Sequence, residues 1–460
     1  MTMLAQFLRG KNIEVIGSDV AENYMTDEVL KKAGVKLIEN FNEKNIPNDA
    51  DLIIYSTAYN SENNPEMKKA ESGKIKILSY AEALGKIFNQ HYGIAVCGSH
   101  GKTTTTAWLG YVLDKAGKSP SVLVGAQVPQ FNGNTLVGKS DYFVAEIDEY
   151  QNKFKHFNPK IVLLNNIDYD HPDYFQTKED YEQVFVEFIA KIPPKGVLIA
   201  NFDDPIIRKI ANVNTKGRVV SYAIDESADY IAYDIKSENG KQYFKVKLGI
   251  DFIEEDSNNS SLLNKAEKDL GSFAISLFGR HNIYNALAVI TTCVEMEIDL
   301  VEIRTYLEDF IGTTRRMQKM GEYKGALIID DYAHHPTEIK TTLAGIRDFF
   351  KDKRLVVVFH PHTYTRTKAL LDDFAKSFSD ADEVIVLDIY GSAREIQGGV
   401  SSLELVELIK QKTKNTEQAK YIPGLKEAEG YLRENIGRGD VVILMGAGDV
   451  FRIGENLVKL

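Results

Sequence analysis

The sequence predicts an α/β protein of three domains. Three observations carry that expectation. Short apolar runs alternate with helical stretches at both ends of the chain, the rhythm of βαβ units and parallel sheets. In the middle, "YGIAVCGSHGKTTTTAWLG" reads as a strand, a glycine turn, a Lys-Thr pair and a helix. The chain has 460 residues, more than one hydrophobic core usually organises. The domains are expected at residues 1–90, 91–311 and 312–460.

In the first domain "IEVIGS", "DLIIYSTA" and "KIKILS" are strands, and "DEVLKKAGV" and "YAEALGKIF" are helices. The second continues with strands "YFVAEID", "KIVLLNNI" and "GVLIAN". Its stretch from about Asp225 to Leu277 differs: "DYIAYDIKSENGKQYFKVKL" alternates about Asn239-Gly240, the mark of an antiparallel hairpin. "FGRHNIYNALAVITTCVEMEI" is then a helix with small residues along one side. The third returns to α/β, with strands "GALIIDDYAH", "RLVVVFHPH", "DEVIVLDIY" and "DVVILMGAGD". Ligands of such sheets gather beyond the carboxyl ends of the strands. The polar clusters fall there: Glu146, Asn166 to His171, Asp330 to His335, and His360 to Arg366.

Composition narrows the function. With 55 basic and 66 acidic residues the net charge is −11, which argues against nucleic acid or an anionic membrane as partner. Two cysteines, Cys97 and Cys293, make neither a disulfide framework nor a metal pattern. No apolar run is long enough to span a bilayer, and "MTMLAQFLRGKNIEV" lacks the length and cleavage pattern of a signal peptide. The expected location is cytoplasmic.

The glycine turn carries the chemistry. The common phosphate loop needs a glycine where Val96 stands; here the spacing is Gly98-x-x-Gly101-Lys102-Thr103. The context is still that of an anion site. Backbone N–H groups of Gly98, Ser99, His100 and Gly101, with the helix start at Thr104, would face phosphates. Lys102 would reach the β/γ-phosphates of ATP, and the Thr103 hydroxyl would ligate Mg²⁺. The alternative is a glycine turn before an ordinary helix.

The shortened loop resembles that of the Mur ligases, which join amino acids to the peptidoglycan precursor. Further stretches are similar to that family in the same order: "EIDEY", "NNIDYDHPDYF", "GRHNIYNALA", "GTTRRMQ", "DDYAHHPTE" and "FHPHTYTRT", so the likeness runs through essentially the whole chain. It implies an N-terminal Rossmann-like UDP-binding domain, a central P-loop ATPase-like domain and a C-terminal Rossmann-like domain. It also implies ATP-dependent addition of an amino acid to UDP-N-acetylmuramate through an acyl phosphate. "HTYTRTKALLDDF" and "LDIYGSARE" resemble the members that add L-alanine, whereas "IDEYQ" and "LLNN" lean toward the recycling members that attach a tripeptide. Two other classes stay open: a P-loop ATPase that remodels a partner, and a UDP-sugar-binding regulator with an inactive ATP site.

The resemblance implies the following roles. Glu146 holds Mg²⁺ with Thr103, with Asp148 and Glu149 behind it, and His171 ligates a second Mg²⁺ near Asn166 and Asp170. Asp173 serves there or caps the next segment. His281 and Asn282 lie near adenine and ribose, although Asn282 also reads as a helix N-cap. One of Arg315 and Arg316 closes onto ATP phosphate, and Asp331 helps hold the nucleotide. Tyr332 and His334 contact the incoming amino acid, His334 as base or orienter of its amine, and Arg366 pairs with its carboxylate. The family usually has arginine where Thr363 stands, which leaves L-serine and glycine as alternative substrates. The adjacent His334 and His335 do not read as a zinc site, since neighbouring side chains diverge. "LMGAGDV" is a strand and glycine turn, either anion-binding or a tight connection.

The family's opening strand and glycine loop have no counterpart before "MTMLAQFL". The first sheet is therefore expected to lack a strand, leaving an open slot with unpaired backbone groups. Ser18 and Asp19 at the end of one flanking strand, and Ser56 with Thr57 at the end of another, are the expected UDP contacts. The expectation that goes with this is an N-terminally shortened chain with weakened UDP-sugar binding; the alternative is a chain that starts here and binds the diphosphate through Ser18, Ser56 and Thr57.

Overall fold

A computed structural model describes residues 1–21, 25–73, 75–238, 240–249, 269–391, 397–413 and 417–459. Two compact units make up the chain. One comprises Met1–Ile167, Glu182–Asp229 and Ala288–Tyr306; the other comprises Asp168–Tyr181, Tyr230–Leu287 and Leu307–Leu460.

The first unit opens with the helix Thr2–Gly10 and strands β1 (Ile16–Asp19), β2 (Lys36–Glu39), β3 (Leu52–Tyr55) and β4 (Lys76–Ser79). Among the described residues β1 pairs only with β2 and β3 only with β4, as two separate parallel ribbons. This is the interrupted sheet expected from the sequence. Each ribbon leaves a ladder edge of β1 or β3 without a strand neighbour, and Ile13, Ile16 and Leu52 at these strands are exposed. The opening helix is amphipathic and buries Leu4 and Phe7. Phe7 meets Phe143 edge-on at 5.3 Å, Thr135 Oγ1 donates to Met3 O at 2.9 Å, and Asn134 N–H donates to Gln6 Oε1 at 3.0 Å. The helix thus packs on the sheet that follows.

That sheet contains β5 (Tyr92–Cys97), β6 (Ser121–Val128), β7 (Gly133–Leu136), β8 (Tyr142–Glu146), β9 (Ile161–Leu164), β10 (Val197–Asn201) and β11 (Arg218–Ala223). Within this unit the strands run in the order β11-β10-β9-β5-β8-β6-β7. All pairs are parallel except β6–β7. Residues Ile94 to Cys97 of β5 are fully buried, as a central parallel strand covered on both faces should be. The carboxyl ends of β5, β8 and β9 lie side by side and deliver the glycine loop, Glu146 and Asn165–Asn166.

The second unit contains an antiparallel meander, β12 (Tyr230–Glu238), β13 (Lys241–Leu248) and β14 (Asp269–Ile275). Glu238 faces Lys241 across the expected hairpin; Asn239 lies outside the described residues. Its larger sheet contains β15 (Gln318–Tyr323), β16 (Ala326–Asp331), β17 (Arg354–Phe359), β18 (Glu383–Val386), β19 (Ala419–Tyr421) and β20 (Asp440–Met445), in the order β15-β16-β20-β17-β18-β19. Only β15–β16 is antiparallel. Alternate residues feed two cores: Ile329, Val357 and Ile443 on one face, Ile328, Val356, Val442 and Leu444 on the other. That is the period of two of a strand covered on both sides. Asp331, His360 and Gly446 follow one another at the carboxyl ends of β16, β17 and β20. No described helix is long and apolar enough to cross a membrane.

Candidate active site

In the first unit, β5 ends at Cys97 and the chain turns through Gly98 (φ +125°) and Gly101 (φ +79°) into the helix Lys102–Lys115. Gly98 is required by space as well as by dihedral: a Cβ there would lie 2.8 Å from Asn166 O. Asn166 clamps the turn. Its Oδ1 accepts from His100 N–H at 2.7 Å, its Nδ2 donates to His100 O at 3.1 Å, and its carbonyl accepts from Ser99 N–H at 3.1 Å. Behind it, Asn165 Nδ2 donates to Thr105 Oγ1 at 3.1 Å, and Asn201 Nδ2 donates to Asn165 O at 2.9 Å. Asn166 therefore acts on the loop itself.

The acids after β8 divide the work. Thr103 Oγ1 donates to Glu146 Oε1 at 2.8 Å, and Gly125 N–H donates to Glu146 Oε2 at 2.7 Å. A hydroxyl and a carboxylate oxygen meeting at a strand end are the hard donors that Mg²⁺ takes. Asp148 is held by Lys153 Nζ, 2.8 Å from each oxygen. Glu149, almost fully buried, pairs with Lys102 Nζ at 3.2 Å. Burial alone would depress the Lys102 pKa, but Glu149 first, then Asp148 and Glu146, hold it above its ordinary value. Thr104 is buried within the helix start. Ser18 and Asp19 close β1, and Asp19 Oδ1 accepts from Val20 N–H at 2.9 Å. Ser56 follows β3 and accepts from Ala58 N–H at 3.3 Å, while Thr57 Oγ1 donates to Gln151 Oε1 at 2.8 Å.

In the second unit, β16 delivers Asp330 and Asp331, and the turn before β15 delivers the two arginines. They part company. Arg315 (φ +60°) turns inward: Nε to Asp330 Oδ2 at 3.2 Å, Nη2 to Gly446 O at 2.6 Å and Nη1 to Ala447 O at 3.3 Å. Its guanidinium lies between the rings of Tyr332 and Phe451, 5.0 and 4.6 Å from their centroids. Expected as a possible phosphate ligand, Arg315 directs one N–H to Asp330 and two to the carbonyls of the "LMGAGDV" turn. Arg316 is more exposed, lies 5.1 Å over Tyr332 and donates to Glu338 Oε1 at 3.4 Å. Asp331 is buried, and its oxygens accept from Met317 N–H at 2.8 Å and Ala333 N–H at 2.7 Å. It braces the arginine turn against β16. Burial pushes the Asp330 carboxyl up to about 7 and that of Asp331 up to about 6, against the pull of Arg315 and Arg316 respectively.

His334 sits where its tautomer can be assigned. Nδ1 lies 2.9 Å from Tyr332 O and 3.3 Å from Glu338 Oε2, so Nδ1 carries the proton and Nε2 keeps its lone pair. Burial pushes its pKa down to about 3. Glu338 Oε2 also accepts from the backbone N–H of His334 and His335, at 3.0 and 3.3 Å. His335 caps the helix Pro336–Phe349. Arg366 pairs with buried Asp170, Nε and Nη2 reaching Asp170 Oδ1 at 3.2 and 3.1 Å, while Nη1 has no partner among the described residues. Burial opposes the charge on Asp170, but Arg366, with His171 next, holds the carboxyl well below the usual range. His171, in the left-handed region at φ +57°, keeps Nε2 3.7 Å from Asp170 Oδ2. Thr363 lies at φ +69° and ψ +135°, a rare setting for a β-branched residue, and its hydroxyl caps the helix Tyr364–Ala369. His362 stacks on Tyr390, centroids 5.7 Å apart; residues 392–395 of the "LDIYGSARE" stretch lie outside the described residues. Asn282 is the third residue of the helix Arg280–Glu295, not its cap. Its side chain donates to Phe278 O at 2.6 Å and accepts from Asn285 at 3.0 Å, with His281 Nε2 3.1 Å away.

Three family models cover these elements. "Mur ligase family, catalytic domain" matches residues 1–92, "Mur ligase middle domain" 96–293, and "Mur ligase, glutamate ligase domain" 315–448. Among the relatives, the UDP-N-acetylmuramate–L-alanine ligase of Desulfitobacterium hafniense is 38% identical over 460 residues, covering 100% of this chain and 97% of that protein. That of Clostridium acetobutylicum is 38% identical over 460 residues, covering 100% and 95%.

The chain belongs to the Mur ligase family.

Its fold is shared with solved Mur ligases of two kinds. The UDP-N-acetylmuramate-alanine ligase of Thermotoga maritima superposes with a TM-score of 0.79 at 24% identity, covering 100% of this chain and 96% of that one. A murein peptide ligase from Psychrobacter arcticus does so with 0.72 at 24%, covering 100% and 96%. Sequence reasoning left two residues of this Mur ligase without their roles. Glu149 stood only behind a metal site, although a second acid after "EID" and a loop lysine could have been paired. Glu338 was not singled out, and its signal was the spacing His335-Pro-Thr-Glu338, which is that of a capping box.

Proposed function

We propose that the chain adds L-alanine to UDP-N-acetylmuramate at the expense of ATP, with residues 1–90 taking the UDP-sugar, 91–311 the ATP, and 312–460 the amino acid. The observation that supports this most directly is the Thr103–Glu146 pair at the mouth of a lysine-bearing glycine loop, in a chain whose full-length relatives carry that activity in their names. The relatives' names also favour the alanine-adding reading over the tripeptide-attaching one.

The reaction must bring two anions together, the muramoyl carboxylate and the γ-phosphate. Lys102 and the N–H groups of Gly101 and of the helix start at Thr103 and Thr104 bind and orient the phosphates, since Asn166 already takes the N–H groups of Ser99 and His100. Thr103 and Glu146 would hold one Mg²⁺ and His171 a second, and these ions would supply further neutralising charge when bound. A carboxylate oxygen bonds to the γ-phosphorus and ADP leaves. The amine nitrogen then bonds to the acyl carbon, and phosphate leaves with the bonding electron pair. Arg366 Nη1 is directed to the carboxylate of the amino acid, and Tyr332 lines its path. His334, neutral with its Nε2 lone pair free, accepts an N–H of the amine and aligns it. A group of such low basicity is a poor proton acceptor, so the amine proton departs with the phosphate. Arg316 is the arginine assigned to ATP phosphate. His281 and Asn282 face the nucleoside, Asp331 holds the arginine turn, and Ser18, Asp19 and Ser56 contact the UDP-sugar.

The test is phosphate release from ATP with UDP-N-acetylmuramate, screened against L-alanine, L-serine, glycine and the tripeptide. Preference for L-alanine is expected. Preference for the tripeptide would make this a recycling ligase, and phosphate release indifferent to any amino acid would make it an ATPase.

A further inference from the structure

We propose that Glu149 is the resting counter-ion of Lys102, and that a nucleoside triphosphate must take the lysine from it in order to bind. The proposal rests on the nucleotide reading of the glycine loop. An ammonium has three N–H donors. Lys102 Nζ directs them to Gly98 O at 2.5 Å, Ser99 O at 3.0 Å and Glu149 Oε2 at 3.2 Å. All three are spent inside the protein. The pair is enclosed, with side-chain exposures of 13% for Lys102 and 1% for Glu149.

Local structure puts Glu149 there. After β8 the chain passes through Glu149 in the helical region and then through Gln151 (φ 59°) and Asn152 (φ 51°) in the left-handed region. Asn152 N–H closes the turn onto Glu149 O at 2.9 Å. Of the neighbouring acids, Glu146 is engaged by Thr103 and Gly125, and Asp148 by Lys153. Glu149 is the acid that meets the lysine.

A phosphate arriving at Lys102 therefore competes with a carboxylate already in place, and the two anions repel one another across the same ammonium. Water screens such repulsion poorly in an enclosed site. Glu149 thus weakens the hold on ATP and on ADP alike, and speeds release of the product.

The experiment is calorimetric titration of the full chain with ATP and, separately, ADP, each with Mg²⁺. Glu149→Gln keeps the shape and removes the charge. Both dissociation constants are expected to fall about tenfold or more. Glu149→Asp keeps the charge but shortens the reach, and both constants are expected to fall by about threefold; this variant decides the matter if the glutamine does not fold. Unchanged or weaker binding in the variant that folds overturns the proposal. Lys102→Ala separates this from the underlying reading: if it leaves ATP binding unchanged, the loop is not the nucleotide site. If it weakens ATP binding while the Glu149 variants do not tighten it, the site stands and the counter-ion role falls.

Discussion

Arg315→Ala separates two arginines that the sequence presents as a pair. Arg315 is held by Asp330, by the carbonyls of Gly446 and Ala447, and by two rings, with side-chain exposures of 13% for Arg315 and 2% for Asp330. Removing one partner of a buried ion pair costs about 3–5 kcal/mol. Asp330 moderates that loss, because burial has already pushed its carboxyl up to about 7. Without the guanidinium it rises further and keeps its proton near neutrality. What remains is the loss of two hydrogen bonds to carbonyls and of the ring contacts, so the lower end, about 3 kcal/mol, is expected. For a unit of this size that is a fall in Tm of roughly 6–12 °C. The pH dependence has a definite sign. Asp330 has a higher pKa folded than unfolded, so it takes up a proton on folding; the stability this contributes is complete at low pH and is lost as pH rises through about 7. The variant shifts that pKa upward. Its cost relative to the parent is thus larger at pH 8 than at pH 6, by about 1 kcal/mol if the carboxyl moves by one unit. Scanning calorimetry without ligands, at both pH values, measures it. Arg316→Ala should keep Tm within about 2 °C and lower turnover at least about tenfold. Co-melting of Arg315→Ala with the parent, or an equal loss of Tm in Arg316→Ala with turnover intact, would refute the division of labour.

Lys102→Ala should abolish ligation. It should also lower stability by up to about 3 kcal/mol, because buried Glu149 loses its ion-pair partner at 3.2 Å; adding Glu149→Gln should restore much of the Tm in chemical or thermal melts, and no recovery would mean the pair is not coupled. Glu146→Gln should raise the Mg²⁺ concentration for half-maximal activity at least about tenfold, and an unchanged titration would remove Glu146 from the metal site. Thr363→Arg should lower KM for the amino acid while costing about 1 kcal/mol through loss of the cap on the helix Tyr364–Ala369; an unchanged KM would show that the carboxylate is already fully served by Arg366. His334 has a folded pKa of about 3, below its unfolded value, so its contribution is present above about pH 6.5 and lost as pH falls below that. Between pH 6.5 and 4 the parent should lose up to about 1.4 kcal/mol per unit that His334→Asn keeps, and parallel stability curves would place the proton elsewhere.

What the sequence by itself determined was local in origin. Alternating and helical periodicity marked the strands and helices because burial imposes a period of two or 3.6 on neighbouring residues. Gly98 and Gly101 marked the phosphate loop because its dihedrals exclude other residues, and the polar ends of β5, β8, β9, β16 and β17 were legible because strands deliver their next residues to one edge. Tertiary structure decided which of those polar groups remain available. Arg315 and Arg316 are neighbours of equal charge, and Asp330 with carbonyls 131 and 132 residues away engages the first of them. Glu146 and Glu149 stand on one short segment, and the left-handed turn at Gln151–Asn152 gives one to Thr103 and the other to Lys102. His334 reads as base or orienter, and burial together with the Tyr332 carbonyl, 2.9 Å from Nδ1, favours its neutral form. A hydrogen bond consumes a donor wherever its acceptor comes from, and acceptors distant in sequence leave no local periodicity by which to read them.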